Sequence, residues 1–470
     1  MVIILNDTPT FPKRTLGAYR IATALRESGV DVEVIDFISK WPVDTLISYI
    51  DSIENIEWVG FSSKFGLTMI DKSIGMFTNF SQPDEARLIR YIKSRKLVTV
   101  LGGPTADFVR PLLIRDTMDF VVRGYADQAV LALHDHITKN KPLIFTTIDG
   151  QILVDGDKDY TNVDLANIET YYHDSDFIMP NEIFPLEIGR GCIFSCAFCN
   201  FSHIGKKPGT YFKSKESIKR EIVDRYNKYG SMTFSFLDDT FNDSIDKMNM
   251  IADIRKETGI PFEFWAYCRL DVLAAQEDMR DLLPDLGWVS MTFGIETFNR
   301  TSGRAIGKGA DPEKLKTFMV ELRKAHPHIQ FEINIIVGLP HDSEDTIRYT
   351  IDWFNSHPDI ANPNLIPLSI YNVNDPAKRQ ITSKMSRDPE KYGYTTQVAP
   401  GGRWPSIFLD WKTDNMSQAE AVELTKKLKK EFKRSPGRIA ETPLQKLGRS
   451  PDYQMDIVED YINKKFLRRA

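Results

Sequence analysis

The chain reads as an α/β protein: a doubly wound parallel sheet, then a partial (β/α)6 barrel, then a mainly helical C-terminal region. Two observations predict this. Short apolar runs alternate with helical stripes in two separate series, and a polar stretch without periodicity divides them.

The first series covers residues 1–142. Val2–Leu5, Val32–Ile35 and residues 57–61, 97–101 and 119–122 read as strands, with helices between them. The first helix carries Ala18, Ile21, Ala22 and Leu25 at i, i+3, i+4 and i+7. Strands separated by helices predict a parallel sheet, and ligands on such sheets sit beyond the strands' carboxyl ends. Those ends carry Asn6-Asp7-Thr8, Ser62-Ser63, Gly102-Gly103 and Gly124, small or polar groups that leave room for a large flat ligand. Residues 143–182 read as a hairpin about Asp149-Gly150 and a linker.

The second series, residues 183–372, has strands at 183–188, 233–237, 262–266, 288–293, 331–337 and 365–370. Six βα units fit a partial barrel with its site at the strand carboxyl ends. Cys192, Cys196 and Cys199 follow the first strand, Asp238 and Asp239 the second, Arg269 the third, Glu296 the fourth and Gly338 the fifth. Residues 373–470 are expected to cap the barrel and shape a substrate pocket. Ser417-x-x-Glu420 is a capping box before a helix whose outer face carries Lys426, Lys427, Lys429, Lys430, Lys433 and Arg434, and the tail adds Lys464, Lys465, Arg468 and Arg469. A solvated face is the simpler reading of this charge; a site for an acidic partner or nucleic acid competes with it. Tyr394, Trp404 and Trp411 either line the pocket or belong to the core.

Composition narrows the function. A net charge of −5 argues against a nucleic-acid-coating surface. No apolar run reaches the roughly 18 residues of a membrane span, and the opening residues do not form a signal peptide. With only four cysteines, three of them in one loop, a reducing compartment is expected and the cytoplasm is the default. Cys268, the fourth, reads as a core thiol.

The three remaining cysteines stand in a C-x3-C-x2-C spacing on a Gly-rich loop, Gly189 to Cys199. Such a loop can wrap one soft metal centre. A four-iron cube normally takes four thiolates, so three leave one iron open to a small molecule. A zinc site, with His203 as a further ligand, and three structural cysteines are the alternatives.

This spacing, with Phe198 before the third cysteine, resembles the radical S-adenosylmethionine (SAM) superfamily. The resemblance implies a [4Fe–4S] cluster on Cys192, Cys196 and Cys199, SAM chelated by the open iron, reductive cleavage to a 5′-deoxyadenosyl radical, and an external electron donor of flavodoxin or ferredoxin type. It covers residues 183–370. Gly294-Ile295-Glu296 resembles the family's ribose-binding motif and Gly338-Leu339-Pro340 its turn near adenine. Asp238-Asp239 stands where many members carry a glycine-glycine-glutamate segment for the SAM amino group, and Arg269 is placed to meet the SAM carboxylate; Phe198 joins the same SAM set. Residues 1–142 resemble the cobalamin-binding domains that precede many such barrels, through Leu16-Gly17-Ala18-Tyr19-Arg20, Val59-Gly60-Phe61-Ser62, Leu101-Gly102-Gly103-Pro104 and Arg123-Gly124. The implied corrinoid contacts are Ser62, Gly102, Gly103 and Gly124. The D-x-H-x-x-G motif that supplies a histidine ligand is absent, so a corrinoid here would bind without one.

The expected function is therefore cobalamin-dependent methylation of an unreactive carbon. A radical SAM cyclase, rearrangement or oxidation enzyme is the alternative within the family, and an iron–sulfur sensor or scaffold holding nucleic acid the alternative outside it. Nothing in the sequence names the substrate.

Overall fold

The computed structural model describes residues 1–8, 13–63, 83–107, 114–179, 182–200, 205–207, 209–373, 383–398, 408–431 and 451–469. His203, Trp404, Lys433 and Arg434 lie outside these residues. The chain divides into two compact units, one built on Met1–Pro185 and Thr442–Ala470, the other on Leu186–Asp375 and Gln380–Glu441.

The first unit is a seven-stranded sheet. Its strands are β1 (Val2–Leu5), β2 (Val32–Ile35), β3 (Trp58–Ser62), β4 (Val98–Gly102), β5 (Phe120–Arg123), β6 (Thr146–Ile148) and β7 (Gln151–Asp155), in the order β2-β1-β3-β4-β5-β7-β6. Both faces of β1 and β2 are buried, as a parallel sheet covered by helices requires. The expected hairpin forms: Asp149 and Gly150 take φ of 50° and 82°, the pair of positive angles a two-residue turn wants. It is not a separate linker element, because β7 runs parallel to β5 and extends the sheet.

Two expectations for this unit change. Asn6, Asp7 and Thr8 spend polar atoms within the fold. All three are buried: Asn6 donates to Thr15 Oγ1 (2.8 Å), Asp7 accepts from Ser39 Oγ (2.7 Å), and Thr8 donates through its N–H (2.7 Å) and hydroxyl (2.8 Å) to Asp36. The last part of the chain also does not behave as one capping region. Helix Pro451–Leu467 belongs to the first unit, where Ile457, Val458 and Tyr461 join the sheet core with Ile35, Phe37 and Trp41. Lys465, read as part of a basic tail, is fully buried; it donates to Glu33 (2.5 Å) and to the carbonyls of Val34 and Ser175 (both 2.7 Å). A buried ammonium survives only with such partners.

The second unit carries six strands in sequence order: β8 (Phe184–Glu187), β9 (Thr233–Leu237), β10 (Glu263–Cys268), β11 (Trp288–Glu296), β12 (Gln330–Val337) and β13 (Asn362–Pro367). The pairs from β9 to β13 are parallel. In β10 and β12 burial alternates, with Phe264, Ala266, Cys268 and Phe331, Ile333, Ile335 and Val337 on the covered face. Helices are capped by the residues that suit the task. Ser214 accepts from Ser217 N–H before Lys215–Tyr229, Asp311 from Glu313 N–H before Pro312–Ala325, and Ser343 from Thr346 N–H before Glu344–Ser356. The Ser417/Glu420 capping box forms at Gln418–Glu431. On its basic face Lys426 pairs with Glu423 and Lys427 with Glu344. Beside the helices this part holds a three-stranded antiparallel sheet, β14 (Ile370–Tyr371), β15 (Thr395–Val398) and β16 (Phe408–Lys412). Tyr394 and Trp411 are buried core residues. Among the described residues, no helix is long and apolar enough to cross a membrane.

Candidate SAM and cluster site

The cysteine loop leaves β8 through a narrow passage. A Cβ on Gly189 would lie 2.8 Å from the Tyr211 carbonyl oxygen, and Gly191 takes a φ of 134°. Arg190 closes back on Glu187 at 2.8 Å, both buried. The loop is then tied down on several sides. Lys206 N–H donates to the Cys192 carbonyl (2.9 Å) and Ala197 N–H to Ile306 (3.0 Å). The Ala197 carbonyl accepts from Ser383 Oγ (3.0 Å) and Met385 N–H (2.9 Å), so the C-terminal part of this unit braces the loop directly.

Each cysteine sits in its own environment. Cys192 is buried, its Sγ 3.3 Å from Thr240 Oγ1, and burial pushes its thiol up. Cys196 accepts from Arg269 Nη1 at 3.6 Å. Cys196 and Cys199 are half-buried, whereas Cys268 is buried and its thiol is pushed well up by burial, in keeping with a core role. Among the described residues, no three His, Cys, Asp or Glu side chains converge on a single ion. The donor set that is present, three thiols on one braced loop with a cation at one sulfur, fits a cube, whose ligands bind separate irons.

The two acids after β9 have different surroundings. Asp238 is buried and accepts from Lys247 Nζ through both oxygens (3.1 and 2.9 Å); Lys247 also pairs with Asp243 (2.6 Å). Its charge is thus matched within the fold. Asp239 is half-buried, and its carbonyl accepts from the Thr240 hydroxyl (2.7 Å), next to Cys192. Of the pair, Asp239 is the one with surface that a ligand's ammonium can reach.

Glu296 ends β11 at a bulge, with φ of 67°. This is rare for a residue with a side chain and marks a position the surroundings enforce. Lys308, which no sequence pattern singled out, holds the side chain: its Nζ pairs with Glu296 Oε1 at 2.9 Å and also donates to the Gly294 carbonyl. A Cβ on Gly294 would stand 2.5 Å from Glu296 Oε1 and 2.9 Å from Lys308 Nζ. A side chain at Gly294 would displace this ion pair. Lys308 Nζ also lies 5.9 Å from the Phe198 ring centroid, which brings Phe198 and Glu296 to one place.

Gly338 turns at φ of 96°, and a Cβ there would meet Trp411 at 2.4 Å. The Gly338-Leu339-Pro340 turn is braced from both sides. Asp342 accepts from the N–H groups of Gly338 (3.3 Å) and Leu339 (2.9 Å) and from Ser302 Oγ (3.0 Å), and Tyr394 donates to the Gly338 carbonyl (2.8 Å). Burial pushes the Asp342 carboxyl up to about 7.

In the first unit, Ser62, Gly102 and Gly103 are adjacent. Ser62 pairs with Gly102 across β3 and β4, and Ser63 donates to the Gly102 carbonyl through N–H (2.8 Å) and Oγ (2.7 Å). A Cβ on Gly103, at φ of 91°, would strike the Ser63 carbonyl at 2.4 Å; one on Gly102 would meet none of the described residues within 4 Å. Gly102 thus offers open backbone, which suits a broad ligand, while Gly103 is needed by the fold. Gly124, at the end of β5, donates to Asp107 Oδ1 at 3.2 Å.

Residues 186–354 match the Radical SAM superfamily, whose members use a [4Fe–4S] cluster and SAM. No curated protein matches the chain in sequence. Among solved structures, the radical SAM methyltransferase TsrM from Kitasatospora setae, with cobalamin and a [4Fe–4S] cluster bound, is similar over 99% of this chain and 99% of its own, with a TM-score of 0.70 at 15% identity. TsrM with tryptophan substrate and a SAM analogue matches over 96% and 92%, with a TM-score of 0.68 at 15% identity. The cobalamin-dependent SAM radical enzyme OxsB, with aqua-cobalamin and SAM, matches over 99% of this chain and 67% of its own, with a TM-score of 0.57 at 14% identity.

Proposed function

From the premise that residues 186–354 form a radical SAM domain and that the chain is an enzyme, we propose that it methylates an unreactive carbon with the help of cobalamin. One observation carries the step beyond the domain: the likeness to a cobalamin-bound radical SAM methyltransferase runs over 99% of both chains, so it includes the N-terminal sheet as well as the barrel. When bound, a four-iron cluster supplies the electron that cleaves SAM to a 5′-deoxyadenosyl radical, and a corrinoid carries the methyl group.

The residues of the chain bind and orient. Cys192, Cys196 and Cys199 hold the cluster and leave one iron for SAM. Glu296, kept in place by Lys308, accepts hydrogen bonds from the ribose hydroxyls. Asp239 meets the ammonium. The Gly338 turn, held by Asp342 and Tyr394, borders the adenine. Phe198 packs beside the Glu296–Lys308 pair and helps keep water from it. Ser62, Gly102, Gly103 and Gly124 form the rim on which the corrinoid rests. An electron donor of flavodoxin or ferredoxin type completes the system.

The test is corrinoid binding. The full chain, purified without oxygen and mixed with hydroxocobalamin, is expected to retain one corrinoid per chain through gel filtration, seen as its absorption band. A protein that loads its cluster but returns from the column without that band contradicts the cobalamin reading. The likeness to OxsB supports a second reading, a corrinoid-dependent radical reaction other than methylation. Absence of any methylated product from a substrate that is consumed would favour it.

A further inference from the structure

The polar atoms of Arg269 are engaged largely within the fold. Its main-chain N–H donates to Asn242 Oδ1 (2.7 Å), and its carbonyl accepts from Asn242 Nδ2 (2.8 Å). Its Nε donates to Asp271 Oδ1 at 3.0 Å and its Nη2 to Asp271 Oδ2 at 2.5 Å, the side-on bidentate geometry of an arginine–carboxylate pair. The guanidinium carbon lies 3.9 Å from the ring centroid of Phe194, a residue of the cysteine loop itself. Its Nη1 is aimed at Cys196 Sγ at 3.6 Å. The side chain is 8% exposed.

We propose that Arg269 is a positioning residue for the cluster. Pinned by Asp271 and Phe194, it holds a permanent positive charge and an N–H donor on the Cys196 sulfur, and so raises the potential at which a cluster held by Cys196 accepts an electron. It does not serve the SAM carboxylate, the role expected from its place at a strand end. The physical reason is that reduction adds negative charge, which spreads onto the ligand sulfurs. A cation or hydrogen-bond donor at a sulfur stabilises the reduced form more than the oxidised one. The inference rests on the reading of Cys192, Cys196 and Cys199 as cluster ligands.

The experiment compares the wild type with Arg269→Gln and Arg269→Lys, each reconstituted in full length, in two measurements: a redox titration of the cluster followed by its electron paramagnetic resonance signal, and equilibrium binding of SAM. For R269Q the reduced-to-oxidised ratio at a fixed potential is expected to fall about tenfold, which for a one-electron couple is a shift of about 59 mV to lower potential. SAM affinity stays as in the wild type, and R269K falls between the two in potential. Unchanged potential together with SAM binding weakened tenfold or more overturns the proposal and restores the carboxylate role. If R269Q does not assemble a cluster, R269K decides: a lowered potential supports the proposal and an unchanged one overturns it. Iron and sulfide analysis of the wild type, done first, reports separately on the cluster reading itself.

Discussion

The two parallel sheets both keep their special residues at the carboxyl ends of strands, but they use different kinds of group. In the barrel these are charged side chains, each locked by a partner: Asp238 by Lys247, Arg269 by Asp271, Glu296 by Lys308. In the N-terminal sheet they are backbone and small groups, Ser62, Gly102, Gly103 and Gly124, while the polar side chains nearby are turned into the fold, as at Thr8 with Asp36. The difference fits the ligands proposed. A small, multiply charged molecule takes preorganised charges such as Glu296, whereas Asp238 serves the fold and Arg269 the cysteine loop. A broad flat ligand is recognised by the room left for it.

Substitutions at the cysteines should have the largest effect. Cys192→Ala is expected to bring iron and sulfide content to background and to abolish SAM cleavage; cleavage that survives would remove Cys192 from the ligand set. Next comes Glu296→Gln. Loss of a charged hydrogen bond costs about 1.5–3 kcal/mol, roughly ten- to hundredfold in SAM affinity, which isothermal titration would measure. The glycines then separate fold from ligand. Gly338→Ala forces a side chain onto Trp411 at a positive φ and should destabilise the fold by about 1–3 kcal/mol in urea unfolding. Gly103→Ala should do the same against Ser63. Gly102→Ala, in open space, should leave stability within about 0.5 kcal/mol and weaken only corrinoid binding.

How much of this could be read beforehand follows the same division. The cysteine loop was legible because three thiols within eight residues on a Gly-rich turn suit a soft metal centre far better than they suit a packed core. Glu296 and Gly338 were legible because each ends a clear strand. The locks were not legible. Lys308 lies twelve residues beyond Glu296 on an irregular segment, and only the folded chain brings it back. An arginine at a strand end suits a carboxylate, which points Arg269 at SAM; that Asp271 takes its Nε/Nη2 edge is a matter of local geometry. Helix Pro451–Leu467 gave no sign of its destination. Its apolar residues fit any core, and its contact with Glu33 spans 432 residues of chain. The parallel pairing of β7 with β5 was hidden for the same reason, since alternation announces a hairpin but not its neighbour.

A pH dependence is expected as well. Asp342 is an ordinary carboxyl of 3.8 when unfolded and is pushed up to about 7 by burial. Between these values the folded state holds the proton that the unfolded state has released, so stability should fall as pH rises from about 4 to about 7. Asp342→Asn should remove that part of the slope in unfolding curves taken across the window.

Radical cleavage of SAM is the step on which the roles assigned in the barrel depend. It is measured by incubating the anaerobically reconstituted enzyme with SAM and a strong reductant and quantifying 5′-deoxyadenosine by mass spectrometry. The wild type is expected to form it and Cys192→Ala to form none. Wild-type protein with a full iron and sulfide complement that yields no 5′-deoxyadenosine would contradict the assignment of the cysteine loop and of the SAM site built around it.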